Sequence, residues 1–76
     1  MIKEHDRIIL EKDLPEKKLK AGDVGTVVHV YPQKEAFETE FMTLSGETVA
    51  IVTLHASQVR AVSKKDITHA RELSVA

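Results

Sequence analysis

The side chains that could do chemistry in this chain are few, and their spacing is poor for it. Its four histidines are His5, His29, His55 and His69. No two are separated by two or four residues, so none forms a local pair with metal-ligand spacing. Folding could still gather them, but short-motif caution favours ordinary surface or half-buried histidines. Glu38 and Glu40 share one face of a strand pattern and could act as paired carboxylates. General acid–base work would need them enclosed, with their pKa values driven apart; a solvated strand face is the simpler expectation. Ser57 lies near His55 with no orienting acid beside it. The turn Gly22-Asp23-Val24-Gly25 lacks the glycine spacing, the Lys-Ser/Thr pair and the following helix of a phosphate loop. No catalytic residue, no metal site and no cofactor is expected, so the expected class is non-enzymatic.

Binding is better supplied than catalysis. Lys17, Lys18 and Lys20 form the densest basic cluster, able to touch phosphate or an acidic partner, although a solubilising loop is the plainer reading. The chain as a whole is near neutral, with 11 Lys and Arg against 12 Asp and Glu. Nucleic-acid modules usually carry a basic excess, because neutralising phosphate supplies most of their affinity. Aromatic rings are limited to Tyr31, Phe37 and Phe41, with no Trp, too few for a base-stacking platform. Both facts count against nucleic acid as the partner.

At 76 residues the chain is one domain, with a core worth roughly 3–5 kcal/mol of net stability. It has no cysteine, so neither disulfides nor thiolate chemistry are open to it. No apolar run approaches the roughly 18 residues of a membrane span, and the N-terminus lacks a signal-peptide core. A cytoplasmic protein without membrane contact is expected.

The elements that must position these residues are short strands. Arg7 to Glu11 reads as the first, with Ile8 and Leu10 on one face. Lys12 to Ala21 is a charged loop containing the turn Asp13-Leu14-Pro15-Glu16, and Leu14 and Leu19 should pin its ends to the core. Gly22 and Asp23 form the next turn. Val24 to Tyr31 is β-branched and reads as the second strand. Gly25 within it signals a bulge or a close backbone approach. A bulge near Gly25–Thr26 would turn both Val27 and Val30 inward; without it Val28 and Val30 would share a face. The bulge is the favoured expectation. Pro32 to Glu35 is a turn, and Phe37 to Phe41 alternates cleanly, with Phe37, Thr39 and Phe41 facing the core. Gly46 marks a tight hairpin over Leu44 to Glu47. Thr48 to Leu54 is the fourth strand, His55 to Gln58 a helical turn, and Val59 to Val62 a final strand. Ser63 followed by Asp66 suggests a helix cap. Ile67, Ala70 and Leu73 recur at near-helical spacing, which predicts a helix over Lys64 to Glu72 that needs something to pack on.

Five short strands, a charged first loop and a helical turn before the last strand resemble a Src-homology-three-type small barrel. Gly25-Thr26-Val27, Val30-Tyr31, Phe37 to Phe41, Ser57-Gln58-Val59 and Val62 look like the KOW-type barrel of bacterial transcription elongation factors, over residues 20–62. In those proteins the barrel docks protein partners, while related ribosomal barrels bind RNA. The whole chain resembles a family of short bacterial proteins, domain-of-unknown-function family 4926. The likeness lies in Lys3-Glu4-His5-Asp6-Arg7, Asp13-Leu14-Pro15, Leu19 to Val28 and Gly46 to Ala50. That family brings no established site residues. Its small stand-alone members suggest an accessory partner-binding role, such as an antitoxin or immunity partner.

The expected fold is thus all-β: a five-stranded Src-homology-three-like barrel over residues 7–62 with a short C-terminal α-helix, one domain over 1–76. The fourth strand is apolar on both faces, and surplus apolar surface in a small domain marks an interface. Ala50, Val52 and Leu54 are assigned to the core. Val49 and Ile51 then face outward, beside whichever of Val28 and His29 the second strand exposes. A protein partner or a second copy would cover them, unless the C-terminal helix does so in cis. The alternatives are a KOW-like RNA-binding accessory protein and an accessory subunit of a larger enzyme.

Overall fold

β-Branched runs punctuated by Gly and Pro turns become five antiparallel strands. The computed structural model describes residues 1–73, the side chain of Lys34 excepted. The strands are β1 (Arg7–Leu10), β2 (Val24–Tyr31), β3 (Ala36–Met42), β4 (Thr48–His55) and β5 (Val59–Ala61). Single 3-10 turns stand at Pro15–Lys17, Pro32–Lys34 and Ala56–Gln58. They build one sheet in the order β4-β3-β2-β1-β5. The two outer strands do not pair with each other, so the hydrogen-bond ladder is not closed into a barrel ring. The all-β expectation holds at this level.

Ile8, Leu10, Leu19, Val27, Phe37, Phe41, Leu54 and Val59 form the buried core. Thr39 is wholly buried among them and donates its hydroxyl to the Phe37 carbonyl at 3.4 Å. Leu14 and Leu19 exchange backbone hydrogen bonds of 2.9 and 3.1 Å, closing the charged loop at its neck. Leu19 is buried and Leu14 packs against the core, so this loop is pinned as its leucines predict.

Two bulges shape the sheet. In β2 the register passes from Val27 opposite Thr39 to His29 opposite Glu38, which leaves Val28 as the extra residue. This corrects the expected position near Gly25–Thr26, while the consequence stands: Val27 is fully buried and Val30 packs on the core. Gly25 serves the other purpose its presence signalled, a close approach. A Cβ there would lie 2.6 Å from Thr39 Cγ2 and 2.8 Å from Phe41 Cε2. The second bulge lies in β4, where Phe41 opposes Ala50 and Met42 opposes Thr48, leaving Val49 extra.

The helix expected over Lys64 to Glu72 is absent; beyond a turn at Lys64–Lys65 the segment has no regular structure. The cap that Ser63 and Asp66 suggest does form: the Asp66 carboxylate accepts the Ser63 amide at 2.7 Å, and the Lys65 amide donates to the Ser63 hydroxyl at 3.2 Å, as in a capping box. No helical turn follows it. Asp66 also accepts the Arg60 guanidinium at 2.7 and 3.1 Å, which holds the capped turn against β5. Ile67 is 88% exposed, Ala70 is exposed and Leu73 alone of the stripe is half-buried, so little packing supports a helix here, and propensity alone does not sustain one so short. Further on, Arg71 reaches Asp23, with Nε 2.9 Å from Oδ1, and donates to the Lys18 carbonyl at 3.1 Å. The tail is thus anchored at two points, on β5 through Arg60 and on the turn before β2 through Asp23. Among the described residues the tail's bonds outside itself go to Arg60, Ala61's neighbour, and to Asp23 and Lys18, none to β4. Ile67 is 88% exposed and Ile51 is 54% exposed, so neither buries the other.

Both anchoring carboxyls are held below their ordinary range. For Asp66 the cause is first the Arg60 guanidinium and then the Ser63 amide. Burial pushes the Asp23 carboxyl up, and the Arg71 and Lys20 contacts together outweigh it. A carboxyl with a lowered folded pKa adds stability above its unfolded value of about 3.9, and that stability is lost as pH falls through the folded value. The tail should therefore be fastened at neutral pH and released in acid. Asp23→Asn, a neutral stand-in for the protonated group, should quicken tryptic cleavage after Arg71 while costing on the order of 1 kcal/mol or less. An unchanged cleavage rate would show that Asp23 does not hold the tail.

Candidate functional site

β4 gathers most of the residues with binding potential. Leu54 is buried, Ala50 and Val52 pack on the core, and Ile51 is 54% exposed. The expected alternation holds for these four. Val49 departs from it: as the extra residue between Ala50, opposite Phe41, and Thr48, opposite Met42, it falls out of the alternation and packs on the core instead of facing outward.

The outward patch is differently composed from the expectation. Ile51 stands opposite Glu40, and Thr53 opposite Glu38. On the next strand, His29 stands opposite Glu38. Its ring meets Tyr31 edge-on at 4.5 Å, and its Nδ1 lies 3.6 Å from Glu4. Val28, the bulge residue, is 40% exposed. Two glutamates on β3 therefore separate Val28 and His29 from Ile51, and the four expected interface residues do not form one apolar patch. The glutamates are half-buried and bonded by neighbouring hydroxyls. Thr53 donates to Glu38 at 2.5 Å, and Thr48 donates to Glu40 at 2.6 Å.

The structure instead unites residues that stand apart in sequence. A groove of about 410 Å³ runs between the Pro15–Lys17 turn and β4, lined by Glu16, Lys17, Lys18, Val49, Ala50 and Ile51. Two of the three basic candidates thus meet the apolar β4 residues. Lys20 does not line the groove; its amide donates to Asp23 at 2.9 Å in the turn before β2. Among the described residues neither Lys17 nor Lys18 joins an ion pair. Of the turn residues, Gly22 and Gly46 have φ of +99° and +94°, the conformation their turns require.

The backbone of β4 adds a feature that side-chain reading missed. Ala56 donates to the Glu35 carbonyl at 2.9 Å, and the same register runs down the ladder to Phe41 opposite Ala50. Antiparallel pairs alternate between hydrogen-bonded and non-bonded. Leu54, Val52 and Ala50 therefore turn their N–H and C=O groups toward β3, and Ile51 and Thr53 turn theirs away. The outward edge ends at each side. The His55 amide is taken by Gln58 Oε1 at 2.8 Å, and Val49 is bulged. Nothing in the order of residues announces which strand will end a sheet. The available signal was that Thr48–Leu54 holds no Lys, Asp, Glu, Arg or Pro, the residues that usually blunt an edge.

Among the described residues no group of three or more His, Asp or Glu side chains is placed to hold a metal ion, and no helix is long and apolar enough to cross a membrane. A family model described as Domain of unknown function (DUF4926) matches residues 4–61. No curated protein and no solved structure matches the chain.

Proposed function

We propose, for a chain that belongs to the DUF4926 family, a non-enzymatic protein-binding module that docks its partner along the edge of β4 and the groove beside it. The observation that carries this is the outer edge of β4: Ile51 and Thr53 direct backbone donors and acceptors away from the sheet, in a strand without charged gatekeepers. Adding a strand to such an edge is a recurrent way of binding an extended protein segment. Lys17 and Lys18 beside it suit a partner with acidic residues flanking its docking strand. An antitoxin- or immunity-type accessory protein is one role of this kind.

We read the five-stranded sheet as a Src-homology-three-type barrel of the KOW kind. The strand order β4-β3-β2-β1-β5 and the 3-10 turn leading into β5 support this. So does a radius of gyration of 11.9 Å, close to the roughly 11 Å of a compact chain this long; a flat sheet would be broader. Barrels of this kind serve RNA as well as protein, so the test must separate the two. Tagged protein should capture a protein from its source cell after nuclease treatment, with little loss as salt is raised, and Thr53→Pro should abolish the capture. Capture of RNA alone, weakening steeply with salt, would contradict the reading.

A further inference from the structure

The outward backbone groups of β4 are few, and their placement says what fits them. The usable edge runs only from Ile51 to Thr53, since Gln58 caps the His55 amide and the register breaks at Val49. Resting on the protein-binding reading above, we propose that a second copy of this chain occupies that edge, its β4 antiparallel to the first about a two-fold axis at Val52. In this register the N–H and C=O of Ile51 meet those of Thr53 in the second copy, and the reverse, so the outward groups of both residues are satisfied without disturbing the capped His55 amide.

Charge agrees with self-pairing. A strand that carries formal charges repels its own copy, because like charges directly opposite destabilise a sheet. β4 carries no Asp, Glu, Lys or Arg over Thr48–His55. On the face that Ile51 and Thr53 share, the carboxylates of β3 are Glu40, opposite Ile51, and Glu38, opposite Thr53. Across the joint, Glu38 would line up with Glu40 of the second copy three strand spacings away, roughly 14 Å, beyond the screening length of about 8 Å at physiological salt. Val52, already packed on the core, would face its own mate as a non-hydrogen-bonded pair with Cα atoms about 4.5 Å apart, a close β-branched contact. The other edge offers no such site. β5 has three residues, and Arg60 within it is engaged by Asp66.

The chain holds no cysteine, so a single introduced thiol reports the register directly. Oxidised Val52→Cys should run almost wholly as a linked pair, since the expected Cα separation lies within disulfide range. Leu44→Cys, on the exposed hairpin, should stay unlinked. The unmodified protein should have twice its 8.5 kDa mass in light scattering at high concentration and dissociate on dilution. Thr53→Pro should remain at the single-chain mass. Its lost N–H points away from β3, where proline is tolerated, and an unaltered far-ultraviolet spectrum would confirm its folding. A single-chain mass at every concentration together with unlinked Val52→Cys would overturn the proposal. So would a dimer in which Leu44→Cys links as readily as Val52→Cys. A monomer that still captures a different protein through Thr53 would overturn the second copy alone and leave the protein-binding reading standing.

Discussion

Gly25→Val should lower the stability of this fold by about 3 kcal/mol, the upper part of the range for overpacking a core, and Gly25→Ala by roughly half as much. The cause is space, not backbone conformation, since the positive-φ glycines are Gly22 and Gly46. Gly25 sits in β2 between two paired neighbours, Ile8 of β1 and Phe41 of β3. The atoms a Cβ would meet belong to Thr39 and Phe41, which are 0% and 2% exposed. Neither can swing into solvent, and a central strand cannot move aside without breaking a ladder on one flank. A domain of this size has roughly 3–5 kcal/mol in hand. At about 4–8 °C per kcal/mol, the valine variant should melt many degrees lower and be partly unfolded at room temperature. A thermal melt within a degree or two of the parent would show that the sheet relaxes around the new side chain and that the close approach is not a constraint.

Leu54→Ala and Ile51→Lys should have opposite consequences although the residues share a strand. Leu54 is 1% exposed within the core, and truncating such a leucine costs about 2–5 kcal/mol in lost transfer energy and residual cavity. Ile51 is more than half exposed, and a surface change of this kind stays within about 0.5 kcal/mol. Urea unfolding should therefore show a large loss for Leu54→Ala and almost none for Ile51→Lys. The lysine variant should nevertheless lose its docked chain, because Ile51 flanks both the groove and the outward edge. Equal stability losses would mean that β4 is buried on both faces by a contact within the chain. An Ile51→Lys variant that keeps both its stability and its partner would place the docking surface elsewhere.

Much of the fold was legible because local chemistry and tertiary structure agree. The alternation of Phe37, Thr39 and Phe41, the hairpin at Gly46 and the leucine neck of the charged loop each follow from side-chain period or turn chemistry. What was not legible depends on pairing at long range. The bulges at Val28 and Val49 are set by partner strands, and a bulge moves a residue to the other face without altering the local pattern; this is why Val49 packs inward. The C-terminal segment has a helical stripe, but Asp66 bonds back to Arg60, and Arg71 bonds to Asp23, 48 positions away in the chain. No local rule weighs such contacts. Of the candidate site, the apolar character of β4 and the lysines of the first loop were readable. Their meeting in one groove, and the status of β4 as an outer strand, required the sheet order.

The central claim is that Ile51 and Thr53 form the edge where this protein meets another chain, and amide hydrogen exchange at those two residues tests it most directly. In dilute solution both amides should exchange freely, while those of Ala50, Val52 and Leu54, directed at β3, stay protected. As the protein is concentrated, Ile51 and Thr53 should become protected in step with the rise in mass, and the other three should not change. Free exchange at Ile51 and Thr53 at every concentration would contradict pairing with a second copy, and protection of both already in the dilute monomer would contradict an open edge altogether.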